Sequence, residues 1–181
     1  MSEASGPQWC ARFPASTALD DLLPPFADRV RAFVSRLERA GAQVTVQATF
    51  RPPERAWLMH WCCMVGQSGQ DPDQVPVLSG VAIDWTHGGD HVAARTAARR
   101  MMARYDIAFP AALVSRHTQR RAIDMTIRWQ GSLRITDFDG RTRVIAAPPR
   151  SGSNPQLAQV GASFGVFKLA KDPPHWSDDG H

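Results

Sequence analysis

The chain has 181 residues, 43% of them hydrophobic, and 21 Lys and Arg against 17 Asp and Glu give a formal net charge of +4. That length suits one domain with a real core and is short for two. No apolar run of about 18 residues occurs, so no membrane-spanning helix is expected, and residues 1–14, polar and broken by Gly6, Pro7 and Pro14, lack the apolar centre of a secretory signal.

Residues 1–20 read as an N-terminal tail, and 21–181 as a single domain. Pro24-Pro25 opens a helix in which Phe26, Val30, Phe33, Val34 and Leu37 recur at helical spacing, with Gly41 in the position that ends it. Val44 to Phe50 alternates and is β-branched, the pattern of a strand, and Pro52-Pro53 stops it. A second helix carries Trp57, Leu58, Trp61 and Met64 as far as Gly66. Ser68 to Pro76 is loop-like, and Val77 to Trp85 is apolar but interrupted by Gly80. Asp90 can cap a third helix reaching Tyr105. After a connector containing Pro110 comes a strand ending near Trp129, then short strands at Leu133–Ile135 and Arg141–Ala146, with turns at Gln130-Gly131 and Asp139-Gly140. Pro148–Pro155 is a polar loop, Gln156–Val160 a short helix, and Phe164–Leu169 and His175-Trp176 are short strand pieces. Helices first and strands afterwards predict an α+β fold with an antiparallel sheet.

Cys10, Cys62 and Cys63 are odd in number, two are adjacent, and there is no CxxC pair. Neither a disulfide framework nor a zinc ribbon fits, and reduced, partly buried thiols are expected. The arginines cluster at Arg95–Arg104 and at Arg116, Arg120, Arg121 and Arg128, a balance that favours anionic partners without choosing among them.

The chemistry concentrates in two places. Ser115-Arg116-His117-Thr118-Gln119-Arg120-Arg121-Ala122-Ile123-Asp124 holds a His and an Asp at the start of the apolar run to Ile127, and Asp172-Pro173-Pro174-His175-Trp176 holds a second pair. Two His and a carboxylate, with another carboxylate three residues before the last His, are the parts of a catalytic zinc site, which uses three protein ligands and leaves a fourth position to water. Asp124 is the hardest to dismiss, because a carboxylate in an apolar strand is costly to bury unless paired or metal-bound. A rival group, Asp84, His87, Asp90 and His91, places two His four residues apart. Gly88-Gly89 argues against a helix between them, and no HExxH is present.

The first motif, with Ser115, His117, Ala122 and Asp124, and the second, with Asp172 and His175, resemble the D-alanyl-D-alanine carboxypeptidase and dipeptidase family of zinc peptidases. Phage L-alanyl-D-glutamate endopeptidases belong to the same group, which has the Hedgehog/DD-peptidase type of fold. Thr49-Phe50-Arg51-Pro52-Pro53-Glu54 resembles the family's strand-end arginine before a helix, so the likeness spans roughly Pro25 to Trp176. It implies a small antiparallel sheet flanked by helices and a Zn2+ held by His117, Asp124 and His175. It also implies Asp172 as general base and Arg51 steadying the carbonyl oxygen as it gains charge. Ser115 is then a substrate contact, a neighbour of the ligands or, on the residues alone, a turn hydroxyl. Arg120, Trp85 and Trp176 are candidates for lining the substrate groove. Two departures stand out: Arg120 occupies the family's usual Gly, and Asp172 replaces the commoner Glu.

The expected activity is peptidoglycan hydrolysis at a bond involving a D-amino acid, as an endopeptidase before a carboxypeptidase. The chain would be an endolysin or a delivered effector, made in the cytoplasm and acting in the periplasm or cell wall after holin release or secretion, with an immunity protein as partner in the effector case. The alternative is a non-catalytic basic module on the same fold that binds cell wall or another polyanion. A nucleic-acid-binding role rests only on charge and scattered Trp, since no helix-turn-helix, RRM or OB signature is present.

Overall fold

The computed structural model describes residues 2–181 and is mixed α+β. In chain order the elements are β1 (Glu3–Ala4), α1 (Phe26–Arg39), β2 (Gln43–Ala48), α2 (Pro53–Gly66), β3 (Ile83–Asp84), α3 (His91–Tyr105), β4 (Ala122–Arg128), β5 (Leu133–Thr136), β6 (Thr142–Ile145), α4 (Pro155–Ser163), β7 (Phe167–Lys168) and β8 (His175–Ser177), with short 3-10 turns between some of them. They fall into two compact units. One comprises the chain up to Ala15 with Arg51–Thr118, the other Ser16–Phe50 with Gln119–His181.

The second unit carries a four-stranded antiparallel sheet in the order β2-β4-β8-β7 and a separate hairpin, β5-β6. Its core follows from the periods of its elements. Phe26, Val30, Phe33 and Leu37 lie on one stripe of α1 and are buried with Ile123, Met125 and Ile127, alternate residues of β4. Leu157 and Val160 of α4 join the same cluster, as do Leu133, Ile135 and Ile145 of the hairpin. α1 ends as its sequence predicts, with Ala40 at the cap and Gly41 at φ +89°, the left-handed conformation that glycine adopts without a Cβ penalty. In the hairpin turn the buried Asp137 carboxylate accepts from the Arg141 amide at 2.9 Å and from Arg143 Nε at 3.3 Å, which holds its pKa below the usual carboxylate value.

In the first unit Trp57, Leu58, Cys62 and Val65 of α2 pack with Ala98 and Met101 of α3 and with Trp9 and Trp85. The early residues take part in this core: Trp9 is only 2% exposed, and Glu3–Ala4 pairs with Ile83–Asp84. That pairing is parallel, which the expected antiparallel arrangement did not include. It joins two-residue strands about 80 positions apart, too short for any alternation to show in the sequence. Cys10, Cys62 and Cys63 are free and buried, and burial pushes the pKa of each thiol up. α3 starts on Asp90, whose carboxylate accepts from the Val92 and Ala93 amides at 3.1 and 2.9 Å. No helix among the described residues is long and apolar enough to cross a membrane.

A steric constraint from backbone and a packed ring lies at α4 of the second unit. A Cβ built on Gly161 of α4 would stand 2.6 Å from a ring carbon of Trp176 and 2.8 Å from the Val166 carbonyl oxygen. Alanine gains about 1 kcal/mol of helix propensity over glycine, but overpacking of this kind costs about 1–3 kcal/mol or more. Gly161→Ala is therefore expected to lower the unfolding free energy by about 1–2 kcal/mol, read from the midpoint of a urea titration.

Candidate metal centre

The site begins with the alternation of β4. Ile123, Met125 and Ile127 face the core, which puts Asp124, Thr126 and Arg128 on the opposite face. The register with β8 pairs Ile123 with Trp176 and Asp124 with His175. Cross-strand partners share a face, so as Trp176 packs on Phe33, with ring centroids 5.4 Å apart, His175 is turned to the carboxylate of Asp124. The His175 Nδ1 to Asp124 Oδ1 distance is 3.1 Å, and His175 Nε2 lies 3.1 Å from the carbonyl oxygen of His181.

Both ring nitrogens thus face acceptors, a carboxylate and a backbone oxygen, and a neutral imidazole has only one N–H to give. The ring meets both either as an imidazolium or with a cation in place of the Nδ1 proton. Burial opposes the charged ring, but the hydrogen bond and negative charge of Asp124, helped by the His181 carbonyl and by Asp172, outweigh it and leave the His175 pKa raised.

The segment before β8 is held from its backbone. The His175 amide donates to the Asp172 carbonyl at 3.1 Å across Pro173-Pro174, and the Met125 amide donates to the Pro174 carbonyl at 2.9 Å. Lys168 on β7 donates its ammonium to the carbonyl oxygens of Leu169 at 2.6 Å, of Asp172, and of His175 at 3.1 Å. Three donors meet three acceptors, which satisfies the group completely. Burial lowers the Lys168 pKa, and the charges of Asp172 and Asp124 offset part of that shift. The Asp172 side chain itself is exposed.

His117 sits in a turn locked by its neighbours. The Ser115 amide donates to Thr118 Oγ1 at 2.9 Å, the Thr118 amide to Ser115 Oγ at 3.3 Å, and Thr118 Oγ1 to the Ser115 carbonyl at 2.9 Å. The Arg51 amide donates to the His117 carbonyl at 3.3 Å, tying the strand-end arginine to this turn. His117 is 4% exposed. Two imidazoles and a carboxylate are a donor set suited to zinc. Within the first unit, Asp71, Asp73 and His91 could also hold a metal, but they are exposed or half-buried, and Asp73 already lies 3.3 Å from His91 Nε2.

Other expected residues take different places. Ser115 Oγ serves its turn. Trp85 and Trp176, expected to line a substrate groove, are core side chains at 4% and 0% exposure. Trp85 meets Trp57 edge-on at 6.0 Å, and Trp176 follows from its register with Ile123. Arg120 has φ +60°, a left-handed conformation that is rare outside glycine, and its guanidinium lies 4.4 Å from the centroid of the Phe50 ring. The rival group is dispersed into local roles: Asp84 accepts from Thr86, His87 bonds Ser5, Asp90 caps α3, and His91 meets Asp73. Lys168 and His181 were missed. A lysine in a two-residue strand and a backbone carbonyl carry no sequence signal.

Two outcomes are expected in protein kept in chelator. With its folded pKa raised above the unfolded value of about 6.5, His175 contributes stability that is fully present below that pH and is lost as pH rises through the folded pKa. Unfolding midpoints measured from pH 5 to 9 should fall over that window, and the fall should vanish in Asp124→Asn. Lys168→Met strands three carbonyl oxygens and should cost about 1–3 kcal/mol by the same titration. Compared with known proteins, the chain matches no family model and no curated protein.

Proposed function

We propose that this chain is a Zn2+-dependent peptidase of bacterial cell-wall peptides, with a fold of the Hedgehog/DD-peptidase type, hydrolysing a bond that involves a D-amino acid. The observation that carries the reading is the His175 ring between two acceptors, the Asp124 carboxylate and the His181 backbone oxygen. A divalent cation in place of the Nδ1 proton satisfies that arrangement, and the Nε2–H bond to a carbonyl is the kind of outer contact that fixes the tautomer of a metal-binding imidazole.

His117, Asp124 and His175 would hold the ion, which when bound supplies a water of lowered pKa and an electrophile for the scissile carbonyl. Asp172 takes the proton from the attacking water and passes it to the departing amine. Its backbone is pinned by the His175 amide and by Lys168 while its carboxylate stays exposed, as a group that must meet both water and substrate requires. Arg51, cationic at every working pH, steadies the oxygen that gains charge, a contribution of about 3 kcal/mol on the scale of an oxyanion-hole donor. Arg120 stands where the family's pattern has glycine, and its φ of +60° is a conformation that glycine adopts without strain, so the departure does not count against the reading. The Asp-Pro-Pro-His form of the second motif favours an endopeptidase over a carboxypeptidase.

The test compares wild type with His117→Ala for bound zinc and for products released from purified peptidoglycan. Wild type should hold zinc and release new amino groups. The variant should lose at least the ~10–100-fold that even an outer partner of a metal ligand costs. Equal activity in the two, or wall binding by wild type with no product, would overturn the peptidase in favour of a non-catalytic basic module.

A further inference from the structure

We infer that Arg128 and Arg150 form an anion subsite for an extended peptide lying along the open face of β4, taking a substrate carboxylate about 13 Å from Asp124. The inference rests on the peptidase reading for its substrate class, and on the second unit alone for its geometry. Asp124, Thr126 and Arg128 lie on one face of β4, and two steps of the strand's two-residue repeat separate the first from the last. On β2 the cross-strand partners of Thr126 and Arg128 are Thr45 and Gln43, both exposed. Two adjoining depressions cover this face. One is bordered by Thr126, Arg128 and Pro173-Pro174, the other by Arg128, Trp129 and Arg150, and the two share Arg128 and Ser151. The groove therefore leads from the segment that carries Asp172 and His175 to a pair of guanidinium groups.

Its charge pattern selects the occupant. Among the described residues no carboxylate borders either depression, and the cations stand at one end only, with Thr126, Gln47 and Pro173-Pro174 before them. A nucleic acid needs cations spaced along its path, whereas a peptide with one acidic group needs them at one place. Arg150 is already oriented: its Nε donates to the Gly131 carbonyl at 2.6 Å and its Nη2 reaches the Ala146 carbonyl at 3.5 Å, leaving the rest of the fork for a ligand. Arg128 is exposed and makes no ion pair with a carboxylate among the described residues. An arginine fork matches a carboxylate in two parallel hydrogen bonds.

The test is binding without turnover, using the full chain in chelator and a dye-labelled neutral heptapeptide with one Glu, against its Gln twin, by fluorescence anisotropy. Wild type should bind the Glu peptide about tenfold more tightly. Arg128→Gln, a surface change that leaves the fold alone, should erase the preference, and Arg150→Lys should weaken it while keeping the charge. Asp172→Asn should keep it. Equal affinity for the twins, or an unchanged preference in Arg128→Gln, overturns the subsite. A single-stranded oligonucleotide that outbids the Glu peptide, and loses its grip in Arg128→Gln, overturns it in favour of a nucleic-acid groove. Because no hydrolysis or zinc is involved, a chain that keeps the preference yet cleaves nothing refutes the peptidase and not the subsite.

Discussion

The pairing of Ile123 with Trp176 is the constraint on which the second unit depends. Both side chains enter a core shared with Phe33 and Val160, so the register of β8 against β4 is fixed by apolar burial. A slip of one residue would carry Trp176 to the outer face and His175 into the core, reversing both in one step. With the register held, Asp124 and His175 have no choice but to meet. The polar pair is thus a by-product of packing on the far side of the sheet, and its geometry is as rigid as that packing.

The neighbourhood of His175 also shows how a polar turn is held through its backbone. Pro173-Pro174 restricts the turn, and one ammonium, that of Lys168, gathers three carbonyl oxygens that would otherwise need water. Lys168 also lies 5.6 Å from the centroid of the Trp176 ring, so the same cation touches the core residue that sets the register and the loop that carries the histidine.

Much of this was legible in the sequence, and the reasons differ from element to element. α1 could be read because its stripe of Phe26, Val30, Phe33 and Leu37 and its closing Gly41 are strictly local signals. The Asp90 cap is another local signal, carried by one side chain and two amides. Asp124 stood out because its charge interrupts an apolar strand. What failed depends on partners far away in sequence. Trp85 and Trp176 looked like groove residues because aromatic rings serve surfaces and cores alike, and only the register or the surrounding cluster decides. The β1–β3 pair is too short to show alternation, and the His181 carbonyl is a backbone atom that no residue type announces. At Arg120 the unusual residue was visible, but the conformation it adopts was not.

The three thiols have a practical side. Cys10, Cys62 and Cys63 are enclosed in the first unit and kept protonated by their surroundings, so the thiolate that alkylating reagents and oxidants attack is scarce. The native chain is accordingly a quiet background for maleimide chemistry. A single cysteine introduced at a solvent-facing site such as Gln130 could carry a spin label or fluorophore without first stripping the natural ones.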